Sequence, residues 1–465
     1  MLKKLLVLLM FSLAALNRVS ADEPKPLTPE EQKTVTELAA LVRNAENPLR
    51  INHLKKLSGF DCPELPDALK ACLDDPDEKL ACTAMEIIQS KKMSGLFENV
   101  TVKIQSKSPV ITATAIAAAA DMDIQKTLPY LISLLDSPNP AIMETANRLL
   151  KKYTGFDYDF NPDGTPEKRS AGAQKWNAWW EKNKNRTQAE WWLNGLTDEL
   201  AKNRASSCQR LADATDFSSI PQLITTIADE SHAVRYFANY ALVKITSFDF
   251  NFEPEADAAK RTTATTAWLE WWNANKSKQP LDWWTGGLKD ASVKVRVSCT
   301  LRLQAENNPS SVPYIIELIN APEEIVRAYA KTALERLTGI FIKYDESSTD
   351  EKALLKAKND WLEWWNSNKD KTRLEWLIST LSSHKYSETR ASAAESLESY
   401  TDEKKKVNPY LFAALNDENA RVRESAFISL KNLNALKGMQ FDAETPAAER
   451  KKIVEKISEL LFKPE

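Results

Sequence analysis

Glycine is scarce in this chain, with ten residues in 465. An α/β enzyme of this size needs more of them, for tight strand–helix turns and phosphate-cradling loops. The shortage therefore favours helices joined by polar turns. Histidine is scarcer still: His53, His232 and His384 are all there are, and they are near one another neither in sequence nor in register. No H-E-x-x-H, G-x-S-x-G, C-x-x-C or glycine-rich phosphate loop occurs. These absences remove the common signatures of metallohydrolases, serine hydrolases, thiol oxidoreductases and nucleotide enzymes. They predict a chain without cofactor or catalytic set. A hydrolase built on an unrecognised carboxylate site stays as an alternative, because 65 acidic residues offer many pairs.

Long apolar runs are also missing, except at the N-terminus. There MLKKLLVLLMFSLAALNRVSA has Lys3 and Lys4 before an apolar stretch too short for a permanent span, then Val19-Ser20-Ala21 as a small-residue cleavage site. Residues 1–21 read as a signal peptide, which predicts an exported chain, periplasmic or secreted, with no membrane insertion after cleavage. Removing Lys3, Lys4 and Arg18 takes the net charge from −3 to −6. Mild acidity with interspersed signs gives no footprint for nucleic acid or anionic lipid. Five cysteines are an odd set for an exported protein. Cys62, Cys72 and Cys82 cluster, and a Cys72–Cys82 bridge is the alternative to thiols that simply fill helix contacts.

Against these shortages stands an abundance of tryptophan, and it is periodic. All fourteen fall into one register. Trp176, Trp179, Trp180, Trp191 and Trp192 recur as Trp268, Trp271, Trp272, Trp283 and Trp284, and again as Trp361, Trp364, Trp365 and Trp376 with Leu377 in fifth place. Pro129, Pro221 and Pro313 keep the same step, as do Gly155, Ser247 and Gly339. A fourth, degraded copy starts at LEWLISTL and closes with IVEKISELL, the behaviour of a terminal cap. The repeats divide the mature chain into an N-terminal helical cap and first repeat (22–96), three units (97–188, 189–280, 281–373) and a capping unit (374–465).

Within a unit the period is helical. Ile220, Leu223, Ile224 and Ile227 form one apolar stripe, and Val234, Phe237, Ala238, Ala241, Leu242 and Ile245 form the next. ADESHA between them is too short for anything but an antiparallel turn. Each unit thus holds two helix pairs plus an added helix, an all-α chain. Asp-x5-Arg recurs at these turns: Asp198 with Arg204, Asp229 with Arg235, Asp290 with Arg296, Asp417 with Arg423.

A polar turn followed by V-R-x-x-A-x-x-A-L (Val234, Arg235, Ala238, Ala241, Leu242, and again Val326, Arg327, Ala330, Ala333, Leu334) resembles the HEAT-repeat family. The resemblance covers most of residues 60–435 and implies an α-α superhelical solenoid of antiparallel pairs. It further implies a bracing role for Asp229, Arg235, Asp417 and Arg423, and a protein partner held along the face of the second helices, near Arg235, Tyr236 and Asn239, with Arg327 and Lys331. Unit one departs from the pattern, with Met143 in place of the arginine. The added W-x-x-W-W block resembles one in other exported bacterial HEAT-repeat proteins.

Two residue sets remain as binding candidates. Trp176, Trp179 and Trp180 share one helix face and read as core. The second tryptophan of each doublet accepts Leu377 in the last copy, so bulk suffices there. The first (Trp191, Trp283, Trp376) is constant and points off that stripe, which makes it the candidate for contact with a partner or, alternatively, a stacked glycan. The loop DYDFNPDGTPEKR offers Asp159, Asn161, Asp163 and Gly164 as the opening of a calcium loop, with Glu167 ninth. The twelfth position is Ser170 where a bidentate acid is needed. The competing reading is a polar loop whose Thr165 caps a helix with Pro166 in its first turn.

Overall fold

In the computed structural model, which describes residues 27–434, 436 and 439–462, every regular element is α-helical or 3-10, with no strand among the described residues. The segment expected to be a signal peptide, residues 1–21, lies outside these residues. No described helix is long and apolar enough to cross a membrane.

Sequence dictates the elements locally. Caps open the helices: Thr28, Thr187 and Thr372 each accept from the third backbone amide on, and Glu31, Glu190 and Glu375 reach back to complete capping boxes. Left-handed residues close them, with Gly155 at φ 83° and Gly339 at φ 74°. Ser247 takes the same conformation at φ 69° without glycine's freedom.

The chain divides into two compact units. The first holds the described residues up to Ile245 together with Phe252–Thr265; the second holds Thr246–Asn251 and the described residues from Thr266 onward. In the first, the second helices of successive pairs (Glu78–Ser90, Pro109–Met122, Pro140–Thr154) pack side by side. Their first helices form a parallel layer in which Pro29–Arg43 meets Glu64–Leu73. In the second unit Val293–Ala305 packs on Glu324–Thr338, and Ser387–Leu397 on Ala420–Leu433, while Arg373–Ser383 meets Lys404–Ala414 in the other layer. Each unit is a stack of HEAT-like antiparallel pairs, the α-α solenoid class. Alternating Ala and Leu or Ile make the seams, since small residues let second helices approach: Ala115, Ala118 and Ala119 in one unit and Ala330, Ala333 and Ala394 in the other are fully buried.

The added tryptophan helices, Pro166–Asn183 and Glu351–Asn368, join the first-helix layer. Pro166–Asn183 lies against Ile124–Ser133, and Glu351–Asn368 against Val312–Ile316. Residues 156–161 form an irregular connection with Asp159 left-handed at φ 59°, in which Phe156, Tyr158 and Phe160 are buried, Asp157 is half-buried and Asp159 and Asn161 are exposed. The connection therefore carries a period-two pattern of its own.

Candidate functional site

The tryptophans close on one another in each copy. Trp176 meets Trp179 edge-on at 5.8 Å, and Trp179 meets Trp191 at 5.4 Å. Trp271 and Trp283 repeat this at 5.4 Å, and Trp364 and Trp376 at 5.6 Å. The rings bind the added helix to the short helix that follows. Trp191, Trp283 and Trp376 are only 1%, 4% and 1% exposed. Their indole nitrogens donate to the carbonyls of Asn183, Asn275 and Asn368 at 3.0, 2.8 and 2.5 Å.

This corrects the sequence expectation: none of the three faces a partner or a glycan. The short helix is covered on two faces: the preceding pair takes one and the added helix takes the other. The second ring of the doublet packs on the preceding pair, where Trp192 donates to the Thr154 carbonyl at 2.8 Å and Trp284 to that of Thr246 at 3.0 Å. Both satisfy a helix C-terminus that would otherwise have an orphan carbonyl.

The arginine brace differs from the implied one. Arg235 donates to the carbonyls of Asp229 and Glu230, at 2.9 and 2.8 Å, and does not engage the Asp229 carboxylate. That carboxylate takes Arg204 of the preceding pair in a two-pronged bridge of 2.7 and 2.9 Å. Asp417 is held in the same way by Arg390, at 2.8 Å twice, while Arg423 caps the Asp417 and Glu418 carbonyls.

The arginines alternate in role along the chain. Arg204, Arg296 and Arg390 reach an acid of the next pair, with Glu323 serving Arg296 at 2.6 Å. Arg235, Arg327 and Arg423 instead pin the connecting loop through the carbonyls of Pro254, Glu346 and Ala443. Arg50 with Asp75 is an earlier rung of the first kind. The Arg-to-acid spacing of 25 to 27 residues was the unused signal.

The same loop explains two other candidates. Lys331 donates to the Tyr344 carbonyl and pairs with Glu346 at 2.7 Å, so it clamps the loop and is engaged within the chain. Asn239 is half-buried at the register of Lys331 and of Asn147, which donates to the Phe160 carbonyl at 3.1 Å. In unit one, where Met143 is buried and can donate nothing, Asn147 is one of the side chains that hold the loop, with Lys151 on Asp157 and Lys202 on Asp159.

Of the two readings of the DYDFNPDGTPEKR loop, the capped helix is the one on view, with Thr165 accepting from the Lys168 amide. Asp159 pairs with Lys202, Asn161 accepts from the Asp163 amide at 3.0 Å, and Glu167 sits in the first turn of the helix that Thr165 caps. Among the described residues no group of three or more His, Cys, Asp or Glu side chains is placed to hold a metal ion. A shallow open groove of about 620 Å³ lies beside this loop, lined by Glu144, Asn147, Arg148 and Lys151 and by Phe160–Asp163.

Of the sequence candidates, Tyr236 alone presents a free surface. It is 50% exposed on His232–Thr246, with Tyr240 at 41% one turn on. Phe237 stands edge-on between them, 5.2 Å from Tyr236 and 6.5 Å from Tyr240. The five cysteines are free thiols, Cys72 and Cys82 included. Burial pushes the Cys72 thiol up to about 11 and Cys208 up to about 12, which makes both inert packing residues.

No family model matches the chain, and no curated protein is similar to it in sequence. Its helices are similar to solved helical-repeat structures at low identity. Yeast importin-beta is 13% identical over 92% of this chain and 65% of its own, with a TM-score of 0.31. A complex of Kap95 with Nup1 gives 12%, 92%, 65% and 0.32. Human deoxyhypusine hydroxylase in complex with glycerol gives 14% over 66% of this chain and 98% of its own, with a TM-score of 0.22. The architecture stands on this chain's own packing.

Proposed function

We propose that this chain is an exported, non-catalytic scaffold that binds a protein partner on the exposed face of its second helices. The observation that carries the reading is the Tyr236, Phe237 and Tyr240 cluster. Large rings half in water on a rigid helix are the usual anchors of protein interfaces, since they bury much area at little entropy cost. The three tryptophans that the sequence offered for a stacked glycan, Trp191, Trp283 and Trp376, are inside. The groove beside Asn147 is open and has a mixed-charge lining, which favours surface contact over a sequestered reaction.

Two measurements test the proposal. A photo-crosslinking residue at position 236 should capture a discrete envelope protein that the Tyr236→Ser/Tyr240→Ser variant fails to retain. No capture, or equal retention by the folded variant, overturns the binding face. Added polysaccharide should leave tryptophan emission unchanged, and marked quenching would restore the glycan alternative. Export is tested separately by N-terminal sequencing of the mature protein, with Asp22 expected first.

A further inference from the structure

The added helix of the first copy carries a charge that its copies lack. Residues 166–186 hold six basic side chains against Glu167 and Glu181, a net of +4 in a chain of overall charge −3. Three of the six fall seven residues apart, Lys168, Lys175 and Lys182, with Ala171 and Ala178 between them. All five are exposed. Positions i, i+3, i+7, i+10 and i+14 lie on one helix face, so the lysines form a line with about 10.5 Å between neighbours.

Packing does not require them. The buried face of this helix is Gly172, Trp176 and Trp179. At the same register the second copy has Lys260, Ala267 and Ala274, and the third has Ala353, Asp360 and Ser367. Five of these six equivalents carry no positive charge in the same fold. Nor are the lysines matched within the chain. Among the described residues none of the three is in an ion pair, and Glu181 is engaged with Lys184 at 2.6 Å. The neighbouring first helix, Ile124–Ser133, brings Lys126 nearby, mostly exposed and already paired with Asp123 at 3.4 Å, so the unmatched row is that of the three lysines. An uncompensated row of like charges costs folding free energy, yet it stands here on a helix that Trp176 and Trp179 anchor from its other side.

We propose that this face is a docking site for an acidic α-helix of a partner protein, one with Asp or Glu at seven-residue spacing. The inference rests on the scaffold reading and gives the partner its chemistry. Charge complementarity sets the sign. The spacing sets the shape, since a helix laid alongside repeats its own carboxylates every ~10.5 Å. Ala171 and Ala178 leave a floor between the lysine stems where a second helix can approach to the ~8–10 Å typical of packed helices. A diffuse polyanion needs no such floor.

The test uses the full mature chain and fluorescence anisotropy of labelled helical peptides at low salt. A peptide with Glu at heptad positions should bind. Binding should fall at least tenfold in Lys168→Glu/Lys175→Glu/Lys182→Glu and also in 300 mM salt. A peptide of equal charge with scrambled spacing should bind several-fold more weakly. No binding of the heptad peptide, or equal binding of the scrambled one, overturns the proposal. So does stronger retention on anionic vesicles, or salt-sensitive dimerisation in sedimentation that the triple variant abolishes. If the triple variant lowers the melting temperature, Lys175→Gln alone provides the comparison. Loss of the tyrosine-dependent crosslink without loss of peptide binding would overturn the scaffold reading and leave this site standing.

Discussion

Gly195 stands so close to Phe156 that a Cβ there would lie 2.6 Å from the ring, with the Ser207 hydroxyl closer still. The second copy repeats the fit, since a Cβ on Gly287 would meet Phe248 at 3.0 Å. In the third copy Ile340 stands at the ring's register and Thr380 at the glycine's, and the Thr380 hydroxyl accepts from Trp364 Nε1 at 3.2 Å. Ring and glycine, or branched aliphatic and threonine, are two solutions to one space. Gly195→Ala should therefore destabilise by about 1–3 kcal/mol through overpacking. Adding Phe156→Ile should recover part of that loss in urea denaturation. An additive double variant would refute the coupling.

Ser247 holds a left-handed backbone where Gly155 and Gly339 stand in the other copies. A non-glycine residue there costs roughly 1 kcal/mol. Ser247→Gly should raise stability by about 0.5–1 kcal/mol. Gly155→Ala should lower it by more than backbone strain alone, because its Cβ would also crowd Arg210 and Ser206 at 3.0 Å. Thermal melts of the two variants should move in opposite directions.

Arg204 bridges one helix pair to the next through Asp229, and its other nitrogen donates to the Asp198 carbonyl at 2.9 Å. Both partners are largely buried, and removing one leaves the other's charge uncompensated. Arg204→Ala should cost about 3 kcal/mol, within the range for breaking such a pair. Arg204→Lys should rescue little, because an ammonium cannot reproduce the two-pronged contact. Equal stability of Lys and Arg at 204 would contradict the geometry.

The pH profile should fall in two steps. His384 is held below the usual histidine range, first by burial, and it accepts the Tyr386 amide at 3.2 Å in its neutral form. The unfolded chain binds this proton more readily, so stability falls as pH drops through about 6.5. Asp75, hydrogen-bonded by Arg50, and Glu323, hydrogen-bonded by Arg296, are held below the ordinary carboxylate range. Their stabilisation is full above the unfolded value near 4 and is lost as pH falls through the folded one. Urea midpoints from pH 8 to 3 should show a small step, then a steeper one. His384→Gln should remove only the first.

The sequence by itself determined the class of the fold. Apolar residues at three- and four-residue spacing, capping threonines and left-handed glycines act within a few residues, so Ile220–Ile227 and Val234–Ile245 are legible without any partner. The register of the tryptophans, 92 and then 93 residues per step, is legible too, because Trp176, Trp268 and Trp361 repeat in the chain itself. Tertiary structure alone decided which face of a short helix is covered, and so it reversed the expectation for Trp191, Trp283 and Trp376. It also decided which acid each arginine meets. Arg204 finds Asp229 across a pair, while Arg235, with the same local spacing, finds only carbonyls. Local spacing specifies where a side chain starts. Where its charge ends depends on the element packed against it, and for Lys168, Lys175 and Lys182 the described chain supplies no such element.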